Sequence, residues 1–405
     1  MTDCSVSKKA IVNSSADSDL LKGLLAGNSF FDSILPKKDE LRIQIIYTQI
    51  DRKENGDPTF TDHFFNINPA NYYYPASTVK FPISLLTLQR LNELKIKGLD
   101  GNTTMITDTD GDEQTAVVTD SSAANQLPSI AQYIKKILLV SDNDAFNRLY
   151  EFLGQEYINN QLHQMGYTDA QIIHRLSIFL SEQQNRHTNP VRFLDANGSA
   201  IYSKPALHSK LPYDIRDVKI GAGYMKGDEL IHETFDFSKK NRLTLPDLHM
   251  MIRSVIFPGS VPKEKRFNLA EDGYNFLRKY MSMYPGESKY PKYDTTEFPA
   301  TFVKKYMYGN DIKTPDPNIR IFNKTGDAYG FLIDASYVVD YKNKIEFFLS
   351  TVIYCNSDGI FNDDTYDYDS VGYPYLRELG KVIYEYELKR KRKVVPDLSA
   401  FKFNY

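Results

Sequence analysis

The chain has 405 residues, 41% of them hydrophobic, enough to bury a sizeable core in one large domain or two interleaved ones. Its 49 basic and 52 acidic residues leave a formal charge of -3 and are spread along the whole length, so no broad field favours nucleic acid or an anionic membrane surface. Cys4 and Cys355 are too few and too far apart for a disulfide framework or a metal cluster, so neither a metal nor another cofactor is expected.

In chain order, residues 1–18 are polar and read as a disordered or linker tail. Residues 20–35 read as a helix, and residues 41–50 (LRIQIIYTQI) as a strand, because the bulky and β-branched residues partly alternate. Asn55, Gly56, Asp57 and Pro58 form a turn leading to a second strand over 60–65, which makes a hairpin. Between 78 and 97, Phe81, Leu85, Leu88, Leu91 and Leu94 recur at three- and four-residue spacing and Gly98 ends the pattern, so a buried helix is expected, with a slight bend at Pro82. Helical patterns return at 129–139, 145–153 and 245–256, while 197–240 is polar and mixed and reads as an insertion. Near the end, 319–324, 331–341 and 345–354 read as strands, with a tight turn at 340–343, and 373–391 as a last helix whose basic run, Lys389 to Lys393, suits the carbonyl end of the dipole and water. Elements at both ends that share a sheet, with helices between them, imply an α+β fold in three α/β/α layers.

The spacing Ser-Xaa-Xaa-Lys occurs at Ser5, Ser77, Ser260 and Ser399, and alone it carries little weight. Ser77 differs in context, since it opens the most apolar helix. At helical spacing Ser77 and Lys80 share a face, so the hydroxyl and the amine can meet. A desolvated lysine beside other cations loses its proton readily enough to activate a serine, and the unpaired N–H groups of a helix start suit an oxyanion. Taken singly, Ser77 reads as a helix cap and Lys80 as a solvated first-turn lysine. Ser141-Asp142-Asn143 occurs once, after the apolar run 137–140, and alone would be a capped helix junction. Lys324-Thr325-Gly326 also occurs once, at a strand end where glycine lets a ligand approach the backbone.

Together and in this order, the three elements resemble the serine β-lactamase and penicillin-binding protein superfamily. The flanks, residues 75–83, 141–147 and 324–330, look like segments of class A β-lactamases. The resemblance implies a β-lactamase-like antiparallel sheet flanked by N- and C-terminal helices, contributed by 20–70 and 310–392, with an inserted all-helical subdomain over 71–309 that carries an extra insertion near 190–240. It also implies roles. Ser77 would attack a carbonyl, Lys80 would take or relay its proton, and Ser141 would pass a proton to the leaving nitrogen. Asn143 would position Lys80 and a substrate amide, Lys324 and Thr325 would hold a substrate carboxylate beside Gly326, and the N–H groups of Ser77 and Asp327 would form an oxyanion hole.

The sequence departs from the class A pattern in the loop that supplies the water-activating glutamate. Arg175-Leu176-Ser177 resembles its start but carries Ser177 where an aspartate is usual, and the nearest candidate base is Glu182, with Asn185 as a water-positioning partner and His187 a lone loop histidine. The implied activity is hydrolysis of a β-lactam amide through an acyl-enzyme. The alternatives are D,D-peptidase, transpeptidase or esterase work on a peptidoglycan-like peptide, and a non-catalytic ligand-sensing domain. The partner is a small molecule, with no nucleic acid or obligate protein partner evident. The resemblance implies a periplasmic or other extracytoplasmic location, and Cys4-Ser5 would suit a lipoprotein anchor except that Asp3 is not the small residue such a site uses.

Overall fold

The computed structural model describes residues 16–311 and 314–405. Most of the polar tail, including Cys4 and the anchor expected there, lies outside them. The predicted first helix is two pieces, α1 (Asp19–Ala26) and a short turn over Phe31–Ile34. Gly27 caps α1, its N–H bonding to Gly23 O, and Asn28 Oδ1 accepts from Phe30 N at 2.9 Å, a side-chain contact that competes with continuing the helix.

Strands β1 (Gln44–Arg52) and β2 (Pro58–Phe65) form the predicted hairpin, in register from Ile45 opposite Phe65 to Arg52 opposite Pro58. The chain then builds α2 (Lys80–Leu94), α3 (Ile130–Val140), α4 (Asn143–Leu153), α5 (Gln155–Gln164), α6 (Leu245–Ile256) and α7 (Glu271–Ser282). It returns to the sheet with β3 (Ile319–Ala328), β4 (Phe331–Asp340) and β5 (Ile345–Tyr354), and closes with α8 (Tyr373–Lys389). The antiparallel sheet runs β3-β4-β5-β1-β2, so residues from both ends of the chain share it.

Every residue of β4 is buried, because the sheet is covered on both faces. The period of two divides the strand side chains between two cores. Ile45, Tyr47, Phe347 and Leu349 meet Leu21, Leu25, Tyr375 and Leu379 of the terminal helices. Ile46, Ile50, Phe348 and Val352 belong to the larger core with Leu248 and Ile252 of α6. Burying each such side chain contributes about 1.5–3 kcal/mol.

Four details differ from the sequence expectations. A 3₁₀ turn over Ala76–Val79 precedes α2, so Ser77 lies in that turn, and Lys95 in the left-handed region (φ 50°) ends the helix before Gly98. Pro82 stands in the first turn of α2, where a missing N–H is tolerated, which removes the reason for a bend. Strand β3 runs four residues past Lys324, so the Lys-Thr-Gly run is inside it. The basic run is not merely solvated: Arg390 and Arg392 pair with the buried Glu387, which needs cations to stay ionised away from water, and Arg390 also pairs with Asp51.

The polar insertion folds as short ribbons. Val191–Leu194 pairs with Thr104–Thr107 and Ala200–Lys204, Phe235–Asp236 with Lys219–Ile220, and Gly223–Lys226 with Glu229–Ile231 and Ile360–Phe361. The last pairing ties the insertion to the end of the sheet subdomain. No described helix is long and apolar enough to cross a membrane.

The two halves of the fold come into close contact at Gly326, where a Cβ would stand 2.7 Å from Ser77 N and 2.8 Å from Thr78 N. Both neighbours are backbone and cannot swing aside. Gly326→Ala therefore lowers stability by about 1–3 kcal/mol, read as a drop in the urea midpoint at unchanged slope; an unaltered midpoint would show that strand and turn are not in contact.

Candidate active site

Ser77 is held by a strained turn. Ala76 has φ 47°, unusual for a residue with a Cβ, and Thr78 Oγ1 locks the turn by donating to Pro75 O at 2.6 Å. Lys80 opens α2 and is completely buried. Its Nζ stands 2.8 Å from Ser77 Oγ, donates to Asn143 Oδ1 at 2.7 Å and to the main-chain carbonyl of Ser141, and lies 3.2 Å from Ser141 Oγ.

The Ser-Asp-Asn run forms the junction between α3 and α4. Ser141 ends α3 in the left-handed region (φ 61°), and Asp142 caps α4 by accepting from Ala145 N at 2.8 Å. The local role of a capped junction and the position beside Lys80 thus coincide. Lys324 crosses from β3 and donates to Ser141 Oγ at 2.9 Å, which leaves that hydroxyl between two lysines 183 residues from the second of them. Burial lowers both amines. Lys80 is pushed well below the ordinary lysine value by loss of water and then by the charge of Lys324, and Lys324 is pushed down to about 7 by burial, partly offset by Asp327 and Asp334.

The remaining expected residues divide. Ser77, Ser141, Asn143, Thr325, Gly326 and Asp327 line one cavity of about 520 Å³, within the range of small-molecule sites. The Thr325 hydroxyl already donates to Ile333 O at 2.9 Å, and Asp327 Oδ2 accepts from Tyr373 OH at 3.1 Å. Glu182 belongs to an adjoining groove. One carboxylate oxygen takes Arg186 at 3.1 Å and the other Lys239 at 3.0 Å, and these bonds, that to Lys239 first, lower its pKa. Asn185 is a structural bracket whose Oδ1 accepts from Arg175 N at 2.9 Å while its Nδ2 donates to Leu180 O and Ser181 O. His187 lies near Asp110 and Glu113 and does not line the Ser77 cavity. Among the described residues no group of side chains suited to holding a metal ion occurs.

Ser177, expected only as a substituted loop residue, touches the cluster: it is left-handed (φ 53°), lines the cavity, and its Oγ accepts from Asn143 Nδ2 at 2.8 Å. Lys305 and Tyr373 also line the cavity, the ammonium of Lys305 4.5 Å from the Tyr373 ring centre. No motif marks either residue; Tyr373 arrives from the start of α8, where its hydroxyl reaches Asp327, and Lys305 from the turns that precede β3.

Ser77, Lys80, Ser141, Asn143, Ser177 and Lys324 therefore form one unbroken hydrogen-bonded set at the base of a cleft. It contains a hydroxyl beside an amine of low basicity, a second hydroxyl that can pass a proton, and a buried cation.

No curated protein matches the sequence. Among solved structures, the chain is similar to a beta-lactamase from Burkholderia phymatum (12% identity, TM-score 0.49, covering 90% of this chain and 98% of that one). It is also similar to a beta lactamase from Burkholderia vietnamiensis (11%, 0.49, 92% and 98%) and to a beta-lactamase from Sphaerobacter thermophilus (10%, 0.46, 91% and 98%). Residues 28–253 match the family described as the Beta-lactamase enzyme family. That match spans more than half of the chain, which thus belongs to the beta-lactamase enzyme family.

Proposed function

We propose that the protein is a class A-like serine hydrolase that opens β-lactam amides by forming an acyl-enzyme on Ser77. The observation that carries this reading is the hydrogen bonding of Lys80. A neutral amine has two N–H bonds and one lone pair. Asn143 Oδ1 and the Ser141 carbonyl are obligate acceptors and take the two N–H bonds, so the lone pair is left for the Ser77 hydroxyl at 2.8 Å. On attack the proton passes to Lys80 and the carbonyl oxygen gains charge, which the N–H groups of Ser77 and Asp327 stabilise. Ser141 relays that proton from Lys80 to the leaving nitrogen, and Lys324 pairs the substrate carboxylate together with the Thr325 hydroxyl, which turns from Ile333 O to donate to it.

Mixing the protein with a chromogenic β-lactam and following colour and intact mass separates the readings of this fold. Many turnovers support hydrolysis, one lasting adduct supports a D,D-peptidase, transpeptidase or esterase of the penicillin-binding type, and no adduct supports a ligand-sensing domain. Ser77→Ala is expected to lower adduct formation by at least about a thousandfold; an unchanged rate would remove Ser77 from the mechanism.

The lasting-adduct reading is favoured by one observation, the double ion pairing of Glu182 in the adjoining groove. A carboxylate of lowered pKa is a weak base toward water. If Glu182 does deliver water, Glu182→Gln converts rapid turnover into an accumulating acyl-enzyme visible by mass. If turnover is slow in the parent protein and equally slow in Glu182→Gln, the residue has no part in deacylation.

The two lysines also set a pH profile. Below the lowered pKa of Lys80 the amine is protonated and cannot act as base, so acylation rises as pH rises through that value. As pH climbs through about 7, Lys324 loses its proton and with it the charge that pairs a carboxylate, so acylation falls again. Stopped-flow acylation by a carboxylate-bearing β-lactam is expected to trace a bell; a rate still climbing toward the ordinary lysine range, about 10, would contradict it.

A further inference from the structure

The cleft of Ser77 continues past Ser177 into a second groove of about 470 Å³, and Tyr74, Leu176, Ser177 and Tyr329 line both. One side of this groove is apolar: Ile178 is half-exposed and Phe179 fully exposed along the loop that follows Arg175. The other side comes from the insertion. There Phe235 packs on Tyr329 with ring centres 5.4 Å apart, and the Lys240 ammonium stands 5.7 Å and 5.8 Å from those two rings.

Two of the three basic side chains of the groove are tied up in ion pairs. Arg175 is paired with the buried Glu151 at 3.0 Å, and Lys239 with Glu182 at 3.0 Å. Asp236 accepts from Ser238 N at 2.8 Å and forms no ion pair with Lys240. Among the described residues Lys240 has neither a carboxylate partner nor a hydrogen-bond acceptor, although burial already lowers its pKa and only the field of Asp236 opposes this. A half-buried ammonium held against two aromatic faces, with no ion-paired carboxylate among the described residues and a concave path to the nucleophile, is short of an anion.

We infer that this groove receives the acyl-side arm of the substrate, and that the arm carries a carboxylate, neutralised by Lys240, on an aromatic or apolar body that lies against Tyr329 and Phe179. The inference rests on the reading that Ser77 is acylated, and it adds the chemical class of the group on the acyl side. Substrate carboxylates would then be read twice, at Lys324 beside the leaving nitrogen and at Lys240 beyond Ser177.

The test compares two probes that differ by one carboxylate, benzylpenicillin and its α-carboxybenzyl analogue, through the second-order rate constants for Ser77 acylation. Taking the ratio of the two constants within each protein removes any general effect of a substitution. Lys240→Met is expected to lower the ratio (carboxybenzyl over benzyl) by about fivefold or more, and Lys240→Arg to keep it. In the parent protein the same ratio should fall between about 0.05 M and about 0.5 M salt, a readout that needs no variant. A ratio unaffected by Lys240→Met and by salt would overturn the anionic subsite while leaving Ser77 acylation standing. Absence of acylation by both penicillins in the parent protein would overturn the Ser77 reading and this inference with it.

Discussion

Lys80 is carried into the protein interior at the first residue of α2, and its amine is surrounded by oxygen atoms that only accept or that do both. Removing a lysine from water disfavours its charged form, and here Lys324 reinforces the effect from across the cleft. The rest of the site follows from satisfying that amine. Asn143 must turn Oδ1 toward it, which turns Nδ2 outward to Ser177. Ser141 must present its carbonyl inward, and the left-handed backbone at the end of α3 does so at a conformational cost that a glycine would avoid. Each partner is thus fixed by a neighbour, and preorganisation of that kind is what a nucleophile and its base require.

The fold makes this arrangement by joining distant parts of the chain. Ser77 and Lys80 enter from the start of the helical subdomain, Ser141 and Asn143 from the junction of two of its helices, and Lys324 from a strand of the sheet. The sheet is rigid because both faces are packed, and β3 is pressed against the serine turn by the absence of a side chain at Gly326. A rearrangement of either core would shift Lys324 relative to Ser141, so core packing and site geometry are coupled through the contact at Gly326.

Much of this was legible in the sequence where chemistry and periodicity coincided. The hairpin of β1 and β2 and the last three strands followed from alternation and turn residues, and Ser77, Lys80, Ser141, Asn143 and Lys324 stood out because three short motifs kept their order. Less legible was whatever depends on tertiary contact. The 3₁₀ turn under Ser77 has no signature apart from the proline before it, and the break of the first helix rests on a side-chain bond of Asn28. Arg390 stands three residues after Glu387, a spacing at which a helix pairs charges, but nothing local indicates that Glu387 is buried, because its burial is set by Tyr47 and the sheet behind it. The polar segment over 197–240 gave no periodicity because its strands are only two to five residues long, and one of them pairs with the remote Ile360–Phe361. Glu182 was singled out by its position along the loop, whereas its environment is decided by Lys239, which arrives from that same insertion.

The central claim is chemical and concerns one atom, Ser77 Oγ. Tryptic cleavage after Lys53 and Lys80 releases a segment, residues 54–80, in which Ser77 is the only serine. Peptide mapping after brief exposure to a penicillin, quenched in acid, asks directly which residue carries the acyl group. The account predicts a penicilloyl mass on that segment with fragment ions assigning it to Ser77. An adduct confined to any other residue, with residues 54–80 unmodified, would contradict it.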